Sequence, residues 1–171
     1  MKPGVYLFII LLLIPLQASL AGMLSIFSVA PDFALFAVYA IGLLTSPREG
    51  LFAGVAVGIV QDILAGNLIG FAGFTRGIIG LMSGMLGRRI LDPANISNAF
   101  FLFTFSLAEG LVIAASLQIY RGEVPFFRLL FIRLLPQAVY TSLLGGVLMR
   151  WSNNRNIRAM IMRKGMGREG V

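Results

Sequence analysis

The sequence predicts an all-helical integral membrane protein of about six transmembrane helices. Three observations carry this: 58% of the 171 residues are hydrophobic, only 12% are charged, and the apolar residues fall into runs separated by short polar turns. Soluble domains hold about 45–50% apolar and about 25% charged residues. No Ser/Pro-rich linker or internal shift of composition divides the chain. Residues 1–150 therefore read as a single polytopic membrane domain, and residues 151–171 as a basic cytoplasmic tail.

The first run opens after Lys2 and extends from Val5 to Leu16, with Ser19-Leu20-Ala21 behind it. A cleaved signal peptide competes with an uncleaved helix here. The apolar character continues to Val29, longer than a signal core needs, which favours the uncleaved helix. Pro31 breaks the run. The second span, Phe33 to Leu44, is short enough to be re-entrant on length alone. Pro47, Arg48 and Glu49 read as a polar turn before the third span, Gly50 to Leu64. Ala65-Gly66-Asn67 then turns the chain into the fourth, Ile69 to Leu86. Gly87-Arg88-Arg89, Asp92-Pro93 and Asn95 to Asn98 form the longest polar connection. Ala99 to Leu117 is the clearest spanning run, with Phe100, Phe101, Phe103 and Phe105 clustered at its start. After a loop from Tyr120 to Pro125, Phe126 to Met149 supplies a last span, interrupted by Arg133, Pro136 and Gln137 and closed by Trp151 at the interfacial level.

Six crossings gather Lys2, Arg48, Arg88, Arg89 and the tail on one side and leave mainly Arg121 on the other, with Arg128 near it. The excess of positive charge marks the cytoplasmic side, so both termini are expected there. The net charge of +7 is concentrated: Arg150, Arg155, Arg158, Arg163, Lys164 and Arg168 are six of the fourteen basic residues. That placement suits a tail beside anionic lipid, and nucleic acid is not an expected partner.

Two faces are lined with glycine. Gly50, Gly54, Gly58, Asp62 and Gly66 recur every four residues along one ridge of the third span. Gly70, Gly73, Gly77, Gly80, Gly84 and Gly87 step by 3, 4, 3, 4 and 3, keeping one seam of the fourth. In lipid, helices associate through packing and hydrogen bonds, and small residues let them approach closely. Such a face either packs the bundle internally or docks a partner's span.

Asp62, Arg76, Glu109 and Arg133 fall inside the proposed spans. A charge at a helix centre costs about 2.5–3.5 kcal/mol on insertion scales, so such residues pair or line a cavity. Counting about 1.5 Å per residue from the nearest loop puts Glu109 and Arg133 at similar depth, and Asp62 and Arg76 at a shallower one. The expected pairs are Glu109 with Arg133 and Asp62 with Arg76. Structural glue, a polar ligand cavity and partner contacts are the three roles open to them; a proton relay is disfavoured because arginine does not titrate usefully.

The chain has no cysteine and no histidine. That removes disulfides, thiolate nucleophiles, Cys/His zinc sites, histidine-ligated haem and a Ser/His/Asp triad. No phosphate-binding loop, zinc-protease pattern, nucleophile elbow or dinucleotide fingerprint is present. The expectation is a non-enzymatic protein without metal or cofactor.

Pro31-Asp32-Phe33-Ala34-Leu35, Pro47-Arg48 ahead of Gly54-x3-Gly58-x3-Asp62, then Gly66 and Leu68-Ile69-Gly70, form an ordered set that resembles the rod-shape-determining MreD family of bacteria. The likeness is strongest over residues 31–90, where Pro31, Asp62, Gly66 and Gly70 are the family-like positions. Arg76, Glu109 and Arg133 do not map onto it. The resemblance implies a non-catalytic scaffold of the cell-elongation machinery in the inner membrane. Its implied partners are an MreC-like periplasmic scaffold protein, an MreB-like actin homologue and a SEDS glycosyltransferase with its class B penicillin-binding protein; a homo-oligomer stays open. It also implies an architecture similar to the substrate-binding subunits of energy-coupling-factor transporters. A small-molecule-binding subunit of a vitamin-type transporter is thus the alternative, with a lipid-modifying enzyme or flippase behind it. An open pocket around Glu109 would favour transport, and an interior of tight ion pairs the scaffold.

Overall fold

The computed structural model describes residues 29–65, 70–89, 97–121 and 126–152. Its elements are α1 (Phe33–Leu44), α2 (Pro47–Ala65), α3 (Phe71–Arg89), α4 (Ser97–Arg121), α5 (Phe126–Leu129), a π-helical turn (Leu130–Leu134) and α6 (Leu135–Ser152). The first expected span, Gly66, and the tail residues Arg155, Arg158, Arg163, Lys164 and Arg168 lie outside the described residues.

Asp32 starts α1. Its backbone is extended, and its side chain accepts from the Leu35 N–H at 2.8 Å, satisfying one of the donors a helix leaves open at its first turn. The helix stops at Thr45, whose N–H and hydroxyl both donate to the Ile41 carbonyl. Pro47, Arg48 and Glu49 are then the first turn of α2 rather than a separate polar turn. Ser46 Oγ accepts from the Glu49 N–H at 3.2 Å, and proline occupies the first helical position, where its missing N–H costs nothing. At the far end α3 continues through Gly87 to Arg89, so the expected polar connection begins later than the composition suggests.

Two of these helical segments, Ser97–Ser116 and Phe126–Arg150, are long and apolar enough to cross a membrane on their own composition. The second is not regular. Pro136 lacks an N–H, and in an α-helix its ring would crowd the Ile132 carbonyl. The chain widens just upstream instead: the Leu135 N–H reaches back five residues to the Leu130 carbonyl. The π turn lets one helical path continue through the proline.

The short helix α1 sits deepest. In α1, Ala34, Leu35, Val38 and Tyr39 are at most 2% exposed, and the helix packs against α2, α3, α4 and α6. Leu35, Tyr39 and Leu43 form one core with Ile79 of α3, Leu102 and Phe105 of α4 and Met149 of α6. Tyr39 also donates to Asn98 Oδ1 at 2.9 Å and stacks tilted against Phe105, so the phenol has both an apolar bed and a polar partner. The outer faces of α2 and α3 expose Phe52, Ile63, Leu64, Phe74 and Met85, the side-chain types a lipid-facing wall uses.

Candidate functional site

The interior converges on Arg76 of α3, which is 2% exposed. Its Nη2 donates to Asp32 Oδ2 at 2.7 Å and its Nε to Glu109 Oε1 at 2.7 Å. Nη1 donates to Gln61 Oε1. One guanidinium fork therefore ties α3 to the start of α1, to α2 and to the middle of α4. Asp32 extends the link, because its N–H donates to Thr141 Oγ1 of α6 at 2.9 Å. Charge-assisted bonds of this length are the strong ones, and removing one member leaves the others charged and buried. Among the described residues no buried side-chain nitrogen or oxygen lacks a partner.

This arrangement corrects both expected pairs. Glu109 pairs with Arg76, not with Arg133, which is exposed on the π turn. Counting residues from a loop gives depth but not direction around the helix, and the π turn shifts that direction further. Asp62 forms no ion pair with Arg76 either. It is 3% exposed, and its Oδ2 accepts from the backbone N–H groups of Gly70 and Ala72 at 2.9 and 3.0 Å. A carboxylate near the end of α2 thus caps the start of α3, where the helix dipole favours negative charge. Gly70 closes that turn with φ of +100°, a conformation that glycine adopts without a Cβ penalty.

The glycine ridges meet each other. A Cβ on Gly54 would overlap the Arg76 carbonyl, on Gly58 the backbone of Ala72 and Gly73, and on Gly50 the Gly80 carbonyl. From the other side, Gly80 lies on Gly50, Gly84 on Pro47 and Gly87 on the Leu43 carbonyl. Gly73 and Gly77 meet side chains of α2, Ile59 and Val55 respectively. From Gly73 to Gly87, then, the α3 seam lies against α1 and α2. The α2 and α3 backbones touch at Gly50, Gly54 and Gly58, with side chains entering the seam only opposite Gly73 and Gly77.

Sequence reasoning missed four contributors. Asp32 stood only in the motif; its signal was an aspartate directly before an apolar helix, a cap that can spare its second oxygen for a cation. Gln61 and Thr141 carry no signal of their own. Gly42, whose Cβ would overlap Ser83 and Gly80, continues the glycine contact onto α1 and could have been found as a third small-residue position. Among the described residues no group of three potential ligands is placed to hold a metal ion.

The hub's donors and acceptors face one another, and the closest backbone approaches are spent on helix contact. Fold and site define a helical membrane protein organised for helix association. The family model of the rod shape-determining protein MreD matches residues 3–153, and the chain belongs to that family. Its role is accordingly in the determination of rod cell shape, at a membrane. No curated protein and no solved structure matches the chain.

Proposed function

We propose that the protein is a non-catalytic scaffold of the cell-elongation machinery. In this reading residues 1–150 cross the bacterial inner membrane six times, both termini are cytoplasmic, and residues 151–171 form a basic tail on that side. The architecture is similar to that of the substrate-binding subunits of energy-coupling-factor transporters. The chain joins an MreC-like periplasmic protein and an MreB-like actin homologue to a SEDS glycosyltransferase and its class B penicillin-binding protein.

The observation that carries the reading is the Arg76 hub. One cation binds groups from three other helices, and Asp32 adds α6, so the bundle is built to present a fixed shape. Glu109, which would line the pocket of a solute-binding subunit, is 4% exposed and held by Arg76, so no observation favours that alternative. Mild solubilisation of membranes expressing the tagged chain should co-purify the MreC-like protein. Arg76→Met should weaken capture and give rounded cells while the chain stays in the membrane. If the wild-type chain repeatedly captures no shape protein, the scaffold reading fails.

A further inference from the structure

The last span holds a cation treated unlike Arg76. Arg133 is exposed on the π turn, Arg128 is exposed on α5 five residues earlier, and neither has an ion pair or hydrogen bond among the described residues. Around them Phe127, Phe131 and Ile132 are 74%, 64% and 59% exposed. A guanidinium on an apolar outer wall of a membrane span needs an acceptor, and the described residues supply none.

Depth limits what that acceptor is. Phe126–Arg150 has 25 residues. At about 1.5 Å each it is about 37 Å long, some 7 Å more than a hydrocarbon core of about 30 Å. Sharing the excess between both ends leaves the Arg133 backbone, about 10 Å along the helix from Phe126, roughly 6–7 Å below the hydrocarbon boundary. An arginine at that depth snorkels, laying its methylenes along apolar neighbours and lifting its charge to the headgroups. Arg128, two residues into the span, already lies there. Both side chains are exposed, and both guanidiniums therefore reach the same membrane surface.

We propose that Arg128 and Arg133 form a binding site for the phosphate of an anionic phospholipid, seated at the Phe126 end of the last span. The planar guanidinium suits phosphate oxygens, which it can engage through two parallel N–H bonds. The exposed rings of Phe127 and Phe131 flank the first turns of the acyl chains. A carboxylate on a partner's helix is the other conceivable acceptor, but at the depth of Arg133 it would leave Arg128 without one. The site is separate from the Arg76 hub and does not depend on the scaffold reading, only on Phe126–Arg150 spanning the membrane.

The test uses the full chain in phosphatidylcholine vesicles, with spin-labelled phosphatidylglycerol or spin-labelled phosphatidylcholine as the probe. The resonance spectrum gives the preference of the protein's lipid shell for the anionic probe. A basic residue near the surface is worth about fivefold in association. Arg133→Gln should therefore lower the preference by up to about fivefold, Arg133→Lys should keep part of it, and Arg128→Gln with Arg133→Gln should lower it furthest. The tail adds its own attraction equally to every variant, so the difference from wild type is what counts. Circular dichroism identifies folded variants; should Arg133→Gln misfold, Arg133→Lys and Arg128→Gln carry the comparison. An unchanged preference in folded Arg133→Gln overturns the proposal. Unchanged lipid preference with loss of a co-purifying membrane protein overturns it too, in favour of a partner carboxylate.

Discussion

The α2–α3 hairpin and the α4–α6 pair both use glycine, yet they pack by different rules. In the hairpin the atom waiting at the missing Cβ is mostly backbone: the Arg76 carbonyl opposite Gly54, the Gly50 carbonyl opposite Gly80, the Pro47 backbone opposite Gly84. Between α4 and the last span it is mostly side chain. Gly110 meets the Leu134 methyls, Gly145 meets Leu102 and Phe36, and Gly146 meets the Ala99 Cβ. A side chain can change rotamer when a neighbour grows, whereas a carbonyl held in a helix cannot move without moving the helix. The hairpin is therefore a fixed element and the α4–α6 contact an adjustable one.

The largest expected effect tests that contrast directly. Gly80→Leu should cost more than about 4 kcal/mol and leave little folded protein in the membrane, read by yield and thermal unfolding in detergent. Arg76→Met comes next, at about 3–5 kcal/mol, because Asp32 and Glu109 stay buried without their cation. Adding Asp32→Asn and Glu109→Gln to Arg76→Met should recover much of that loss, since buried charge rather than lost shape is the cause; a triple variant no better than the single one would contradict it. Asp62→Ala should cost about 1–2 kcal/mol, the range of a lost helix cap, and speed hydrogen exchange at Gly70 and Ala72 more than elsewhere. Gly110→Ala should cost at most about 1 kcal/mol, because Leu134 can turn aside. A Gly110→Ala loss matching that of Gly80→Ala would erase the distinction between the two regions.

The sequence exposed the helices readily and their mutual geometry only in part. Apolar runs bounded by proline, glycine and charge located α1 to α6, because a span must hide its backbone in a helix whatever its neighbours do. Repeating glycine found the seam for a similar reason: spacing along one helix already defines a face. The charge partners could not be found that way. Asp32 and Arg76 lie 44 positions apart, and their meeting depends on how α1 settles across α3, which no spacing within either helix records. Depth along a span does not fix direction around it, so similar depth alone cannot pair Glu109 with Arg133, and the π turn ahead of Pro136 changes that direction further. Ser46 with Glu49 was legible, a serine followed three residues later by glutamate, but the polarity of the segment concealed it as a turn.

The carboxylate of Asp62 also bears on how the chain enters the bilayer. A helix emerging during synthesis brings unpaired N–H groups at its leading turn, and in hydrocarbon each is a barrier to burial. Here the preceding helix carries the acceptor for two of them, Gly70 and Ala72. Helices α2 and α3 thus share this cap before any later segment is made, while Arg76 still awaits Glu109 of α4. The hairpin can leave the insertion machinery as a pair, and the rest of the bundle can assemble around it.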